Sequence, residues 1–286
     1  MFSEVVAAID GSPASFRAAE MGAKLAAASG GRLHLVAVAP PRESLVRRLR
    51  IPASQADLDR RAADLRSAAV VVGDTAPVAS SELLEGPTVE SILSYCPGAG
   101  GRRLIALGSG RRRRRLGSVS SAILRSADCP VLVVREGATR SPYVQRILLA
   151  FDGSPGARQA LEVAAALAGR AGASVQIVWV LRPSFPLPPR GMPLPADEVR
   201  EMAGPPERRE MEEAAERIRA AGGRVERTIF ELGRPDERIL ARAEAADVDL
   251  IVVGARGDRG ATARRVLGGV SDRVVSASTR PVLVIR

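Results

Sequence analysis

The chain has 286 residues, of which 46% are hydrophobic and 26% charged, a composition that suits two ordinary globular domains. Its two cysteines exclude a disulfide framework, no run of 18 apolar residues predicts a membrane span, and 3% aromatic content offers few platforms for base stacking. The net charge is +10, but Lys24 is the only lysine, so we interpret the arginine excess as codon bias and not as nucleic-acid binding. Since no signal-like segment follows Met1, we expect a cytoplasmic protein.

The first half alternates strands and helices. Its strands are short, β-branched and continuously apolar, as strands buried on both faces are. His34 is the single histidine and falls in the second strand; because a metal site needs several ligands, we interpret it as a packed or surface residue. The predicted strands are 4–9, 32–38, 78–84, 103–108 and 130–135, and the predicted helices are 13–29, 55–69, 87–96 and 117–127.

The second half repeats this alternation. Its first helix should begin at the sequence Gly153-Ser154-Pro155, with Ser154 as N-cap and Pro155 in the first helical position. The predicted strands are 146–151, 174–181, 224–231, 249–254 and 281–286, and the predicted helices are 155–170, 207–221, 235–246 and 268–278.

The two halves also repeat in sequence. Residues 5–13 (VVAAIDGSP) return as 147–155 (ILLAFDGSP), and residues 129–135 (CPVLVVR) return as 280–286 (RPVLVIR). A repeat of this length is a whole domain, so we predict domains at 1–137 and 145–286 with a short polar linker between them. Alternating strands and helices predict an α/β fold in which each domain is a doubly wound, five-stranded, mostly parallel sheet with helices on both faces.

Ligands of such sheets bind beyond the carboxyl ends of the strands. Three features of the second half should meet there. Asp152 ends the first strand and could accept ribose hydroxyls or hold a cation, or it could simply cap a helix together with Ser154. Residues 253–257 (VGARG) could bring backbone amides to a phosphate, or form a plain turn. Residues 268–270 (GGV) open the last helix, whose N-terminus attracts anions, or they only start that helix.

Together these motifs, with 250–257 (LIVVGARG) and 280–285 (RPVLVI), resemble the universal stress protein family, once per half. The resemblance implies a Rossmann-like fold of the adenine nucleotide alpha hydrolase type and a site for ATP, with or without Mg²⁺. Asp152 would face ribose and phosphate, and Val180 would lie against adenine. The first phosphate contact would use Gly254, Arg256 and Gly257, and the second Gly268, Gly269 and Val270. The matching positions of the first half are Asp10, Val38, Gly108, Gly117, Ser118 and Val119.

Both halves depart from the family motif G-x2-G-x9-G-[S/T]. In the second half, ten residues separate Gly257 from Gly268, and Gly269 replaces the hydroxyl residue. The lost neutral hydrogen bond is worth about 1 kcal/mol, so weakened ATP binding is expected rather than none. The first half keeps Ser118, but Arg111 takes the place of the second glycine in a shorter loop.

Five consecutive arginines, residues 111–115, fill that shorter loop. They could clamp a phosphate, contact a nucleic-acid backbone, or form a solvated loop; nucleic acid is the least favoured of these. The Pro-rich stretch from Pro183 to Pro206 could form a lid over adenine or a flexible surface insertion, because its composition cannot form a packed core alone.

The leading hypothesis is therefore a tandem universal stress protein that binds an adenine nucleotide and serves as a stress-response or sensor module. The alternative is an interaction scaffold that binds no nucleotide. No nucleophile, base and orienting residue stand together and no P-loop is present, so we expect no enzyme activity. The apolar last strands, residues 131–134 and 282–285, could pair the two halves or form a homodimer.

Overall fold

A computed structural model describes residues 1–39, 42–43, 50–51, 53–95, 102–110, 116–136, 144–182, 195–256 and 267–286. The chain divides into two compact units, Met1–Ala138 and Thr139–Arg286. Each unit has a five-stranded sheet in which every strand pair is parallel, with helices between successive strands, so the predicted α/β fold class is confirmed.

Unit 1 has the strand order β5-β2-β1-β6-β7. A separate antiparallel pair is formed by the two-residue strands β3 and β4. The strands are β1 Glu4–Ile9, β2 Arg32–Ala39, β3 Arg42–Glu43, β4 Arg50–Ile51, β5 Val78–Glu85, β6 Arg103–Ser109 and β7 Val131–Arg135. The helices are α1 Pro13–Ser29, α2 Gln55–Val72, α3 Thr88–Ser94 and α4 Ser118–Ser126.

Unit 2 has the equivalent strand order β10-β9-β8-β11-β12. The strands are β8 Arg146–Ala150, β9 Ser174–Leu181, β10 Arg224–Leu232, β11 Leu250–Gly254 and β12 Val282–Ile285. The helices are α5 Pro155–Ala171, α6 Ala196–Met202, α7 Pro205–Ala220, α8 Pro235–Ala245 and α9 Gly269–Ala277. In both units the order of strands reverses beside the first strand, and this places a crevice at the carboxyl ends of the central strands.

Burial differs among the strands of each sheet, and β7 and β12 are buried throughout although each is the last strand in its unit's order. The central strands β6 and β11 are buried along almost their whole length, as their continuous apolar sequences predict. The edge strands β5 and β10 are largely exposed, and polar residues occupy much of both. The apolar core therefore lies under the strands that carry the predicted ligand positions.

The helices that the sequence predicts begin within two residues of their predicted starts. The Ser154 hydroxyl accepts the Ala157 amide at 3.2 Å and Pro155 occupies the first helical position, which confirms the predicted cap of α5. Ser12 caps α1 in the same way through the Ser15 amide at 3.2 Å. None of the helices in the described part of the chain is long and apolar enough to cross a membrane.

The Pro-rich stretch, predicted as a lid over adenine or a flexible surface insertion, is helical at its described end. Residues 196–202 form α6, which packs against β10, and Val199 and Ala203 are both buried. The next helix, α7, begins at Pro205. Apolar residues spaced along a proline-rich background were enough to attach a short helix to the sheet edge, which composition alone does not reveal. Residues 183–194 lie outside the described residues.

His34 on β2, interpreted from the sequence as a packed or surface residue, is buried and hydrogen-bonded. Its Nε2 lies 2.6 Å from a carboxylate oxygen of Glu4 on β1, and its Nδ1 lies 2.8 Å from the Ser80 hydroxyl on β5. The Ser80 hydroxyl is also hydrogen-bonded to the Tyr95 hydroxyl, at 2.9 Å. These side chains satisfy one another's hydrogen bonds inside the sheet. At the position of His34 unit 2 has Gln176, whose amide donates to Glu226 at 3.1 Å.

Candidate functional site

The three ligand features predicted for unit 2 lie at one edge of its sheet. The last residue of β11, Gly254, packs against the first turn of α5, directly after the Asp152 turn. The Gly254 carbonyl accepts the Ser271 hydroxyl of α9 at 2.7 Å, and the Ala255 carbonyl accepts the Gly268 amide at 2.7 Å. The strand-one turn, the end of β11 and the start of α9 are therefore held together by the fold.

Asp152 is exposed at this edge. One of its carboxylate oxygens accepts the Ser154 amide at 3.1 Å, so the Asp-Gly-Ser turn does form the local capping structure considered above. Val180 lies half-buried near the end of the neighbouring strand β9, whose register places Val178 beside Ala150. Asp152 and Val180 thus lie at the carboxyl ends of adjacent strands.

The corresponding aspartate of unit 1, Asp10, has the same turn, with the Ser12 amide 2.9 Å from its carboxylate. Partial burial acts to raise the pKa of Asp10, but hydrogen bonds from Ser12 and Ser15 and the charge of Arg61 lower it overall. Asp10 is therefore ionised at neutral pH. Val38, the counterpart of Val180, is buried near the end of β2.

Gly108 and Gly254 have a packing role that the sequence motif does not indicate. A Cβ on Gly254 would lie 2.5 Å from the carbonyl carbon of Gly156, and one on Gly108 would lie 2.5 Å from that of Ala14. Both glycines therefore let the first helix of their unit approach the end of the fourth strand of the sheet. This requirement holds with or without a ligand.

The last helix of each unit starts without a side-chain cap. Gly268 is the N-cap of α9 and Gly117 is the N-cap of α4, and neither glycine has a side chain to accept the amides of the first turn. The Gly117 amide itself donates to the Ser109 hydroxyl at 3.3 Å. In unit 2, Gly269 is exposed and Val270 is half-buried; in unit 1, Ser118 is exposed and Val119 is half-buried. Uncapped amides together with the helix dipole form a partial positive charge that can hold an anion.

Other predicted positions are only partly described. The Arg256 carbonyl lies 3.4 Å from the Ser154 hydroxyl, so the chain after β11 folds back over the start of α5. Gly257 lies outside the described residues, as do the five arginines at 111–115. The first phosphate-binding segment is thus described only at Gly254 and Arg256.

Two carboxylates lie at the site that were not predicted from the sequence. A Cβ on Gly153 would collide with the Glu210 carboxylate of α7, and one on Gly11 would lie 2.6 Å from a carboxylate oxygen of Asp64 on α2. Both glycines have positive φ, 72° and 80°. Each Asp-Gly-Ser turn therefore faces a second carboxylate, which comes from a helix between the second and third strands of its sheet, α2 or α7. The sequence feature that could have indicated these carboxylates is their position, because each immediately precedes an apolar residue that is buried, Leu65 or Met211.

Ion pairs hold these carboxylates, and unit 2 has aromatic rings beside its turn. Arg158 of α5 pairs with Glu210 at 2.9 Å, and Arg61 pairs with Asp64 at 3.1 Å. In unit 2, the Trp179 ring packs edge-to-face on Phe151, with centroids 5.6 Å apart, and borders Gly153. Unit 2 consequently has an aromatic wall beside its turn, where unit 1 has Ile9 and Ala37 at the ends of the corresponding strands.

Comparison with known proteins agrees with this arrangement. The sequence model of the universal stress protein family matches the chain twice, at residues 1–135 and 144–286. A universal stress protein of Mycobacterium tuberculosis H37Rv, Rv1996, is 28% identical over 318 aligned positions, which cover 99% of this chain and 94% of that protein. Another from the same strain, Rv2623, is 28% identical over 220 positions, 73% of this chain and 69% of the other.

Solved structures show the same fold. The crystal structure of a universal stress protein from Archaeoglobus fulgidus DSM 4304 superposes with a TM-score of 0.70 at 23% identity, covering 100% of this chain and 99% of that one. The double family match, the two repeated sheets and their strand order agree with one another. The chain belongs to the universal stress protein family and has its tandem form, with one family domain in each half.

Proposed function

We propose that unit 2 binds ATP at the carboxyl edge of its sheet and that the protein acts as a cytoplasmic stress-response or sensor module. The observation that carries this proposal is the uncapped start of α9, held by hydrogen bonds against the end of β11 and next to the Asp152 turn. A helix N-terminus there supplies amide donors to phosphates, and the exposed Asp152 supplies acceptors to ribose hydroxyls.

The residues present fit a nucleotide in two further respects. The Trp179 ring and the Glu210 carboxylate both lie against Gly153, so an aromatic side chain and an acceptor border the Asp152 turn. Oε2 of Glu210 pairs with Arg158 at 2.9 Å, so a donor group of a ligand would share that oxygen with the guanidinium. Val180 would add apolar contact to a base at the end of β9, as would its counterpart Val38 in unit 1.

Mg²⁺ would have to rely largely on the phosphates. Among the described residues, no group of three or more His, Cys, Asp or Glu side chains could hold a metal ion. Mg²⁺ commonly takes one or two carboxylates together with substrate phosphates and waters, and Asp152 or Glu210 could provide them. Any ion bound this way would neutralise the repulsion between these carboxylates and the nucleotide.

Isothermal titration calorimetry with ATP and Mg²⁺ tests this function directly, together with a thermal-shift assay. We expect binding that Asp152→Ala weakens. The absence of both heat and thermal shift at millimolar ATP would refute nucleotide binding.

One observation favours the alternative, an interaction scaffold without nucleotide. The packing role of Gly108 and Gly254 explains these glycines without a phosphate, and Asp64 and Glu210 place negative charge beside both turns. A scaffold predicts no response to ATP, while variants at the exposed sheet edge would change partner binding and leave stability intact. The same calorimetric experiment therefore separates the two functions.

We propose no catalytic role. The described site contains carboxylates and backbone donors but no pairing of a nucleophile with a base, so ATP would serve as a bound signal and not as a substrate. Phosphate release above that of an Asp152→Ala variant would contradict this. Pairing of the halves through residues 131–134 and 282–285, and a homodimer, stay predictions from the sequence that sedimentation velocity can test.

A further inference from the structure

A positively charged side chain lies at the start of α9, where the family motif has a hydroxyl. Arg273 is one turn into the helix, and its Nη1 atom is 3.3 Å from the position that a Cβ would take on Gly269. A side chain at position 269 would therefore press on the guanidinium. Glycine at this position leaves the guanidinium room to lie against the first turn of α9.

Asp236 on α8 holds this guanidinium in place. The Nε atom of Arg273 lies 3.0 Å from Oδ2 of Asp236, whose side chain is only 9% exposed. Arg234 also pairs with that oxygen, at 3.2 Å. Because Arg273 uses Nε for this ion pair, its two terminal nitrogens have no hydrogen-bond partner in the described ranges of the chain. The side chain of Arg273 is half-exposed and can meet a ligand.

The two halves differ at all three of these positions together. The fourth-strand glycine carbonyl accepts the hydroxyl of Ser120 at 2.9 Å in unit 1 and that of Ser271 at 2.7 Å in unit 2, which aligns α4 with α9. In that alignment Ser118 matches Gly269 and Ala122 matches Arg273. The second residue of α8 is Asp236, and the second residue of α3 is Val89.

Unit 1 thus has a hydroxyl at the helix start with no charged pair behind it. Unit 2 has no hydroxyl there but has an arginine aimed at the vacant position and a buried carboxylate to orient that arginine. The hydroxyl and the arginine are alternative donors to the same place.

We propose that Arg273, positioned by Asp236, is the side chain that binds the phosphates of a nucleotide in unit 2, in place of the hydroxyl. This inference rests on the proposed ATP site. A guanidinium offers two parallel donors and a full positive charge to a phosphate, whereas a hydroxyl offers one neutral donor. Unit 2 should therefore discriminate strongly between nucleoside polyphosphates and the uncharged nucleoside.

The test measures the affinity of the full-length protein for ATP and for adenosine by calorimetry. Arg273→Ala should weaken ATP binding at least about tenfold, as expected for a lost charge-assisted hydrogen bond, and leave adenosine binding unchanged. Arg219→Ala is the matched control, since Arg219 is a surface arginine at the C-terminal end of α7, away from the carboxyl edge of the sheet. That control should bind ATP like the wild type.

Two further variants test whether Asp236 positions Arg273 and whether Arg273 replaces the hydroxyl. Asp236→Asn should weaken ATP binding in the wild-type background but not in the Arg273→Ala background, because a merely structural effect of Asp236 would persist in both. The double variant Gly269→Ser/Arg273→Ala reproduces the pair found in unit 1 and should recover part of the lost affinity.

The outcomes separate this inference from the proposed function. If the wild type binds neither ATP nor adenosine, both are wrong. If the wild type binds ATP and Arg273→Ala binds it equally well, or loses adenosine and ATP binding to the same extent, only the role of Arg273 is refuted. An unchanged unfolding temperature without ligand shows that Arg273→Ala remains folded.

Discussion

Replacing Gly108 by alanine should destabilise unit 1 in the absence of any ligand. The new Cβ would lie 2.5 Å from the carbonyl carbon of Ala14 and 2.6 Å from Cα of Ser15, whereas carbon atoms pack at about 3.5–4.0 Å. The helix α1 would have to move by about 1 Å. β6 cannot retreat instead, because it is hydrogen-bonded to β1 on one side and β7 on the other.

Overpacking of this kind costs about 1–3 kcal/mol, which corresponds to a fall in unfolding temperature of roughly 3–10 °C for a unit of this size. Gly110→Ala is the matched control two residues away. Among the described residues, no heavy atom lies within 4 Å of a Cβ placed on Gly110, so this variant should stay close to the wild type. Urea unfolding followed by circular dichroism and calorimetric melting, both without nucleotide, measure the difference.

Equal stability of Gly108→Ala and Gly110→Ala would refute the packing argument. If Gly108→Ala kept the wild-type stability but lost a nucleotide-induced thermal shift, the glycine would serve close approach of a phosphate and not close approach of α1.

Two further predictions concern buried titratable groups of unit 1. Burial acts to raise the pKa of Glu4, but hydrogen bonds and charges from Arg32 and His34 lower it overall. The stability that ionised Glu4 gives to the folded protein is therefore complete above the ordinary pKa of 4.5, and it is lost as the pH falls through the lower pKa of the folded state. Glu4→Gln should therefore be less stable than the wild type at neutral pH and lose less stability on acidification, as urea unfolding at stepped pH would show; parallel stability curves would contradict this. Burial also raises the pKa of the Cys129 thiol, so iodoacetamide at pH 8 should label Cys129 slowly in the native protein and quickly in denaturant, as followed by peptide mass spectrometry. Rapid native labelling would show that the thiol is accessible and ionised.

Local features of the fold could be predicted closely. The first strand and first helix of unit 1 match their predicted ranges, and Ser154 caps α5 as expected. These features depend on residues within a few positions of one another, through apolar periodicity and capping chemistry. The helix α6 was not predicted because it packs against the distant strand β10, with Val199 buried, and has no strong local pattern.

The candidate site was only partly predictable. Its location followed from the rule that ligands bind at the carboxyl ends of parallel strands, and the structure brings the Asp152 turn, Gly254 and the start of α9 together there. The Glu210 carboxylate over the turn could not be predicted, because it depends on how α7 packs against α5. The same is true of the pair of Arg273 with Asp236, which joins two separate helices.

The sequence by itself determined the two-domain repeat, the alternation of strands and helices that both halves share, and the family. These properties follow from apolar periodicity and helix caps, which act over short stretches of chain, and from motifs that recur between the halves. Only the tertiary structure decided what individual site residues do. It assigned Gly108 and Gly254 to helix packing and placed Arg273 beside the vacant side-chain position at Gly269. The physical reason is that these roles arise from contacts between residues remote in sequence, which are created only when the helices close on the sheet.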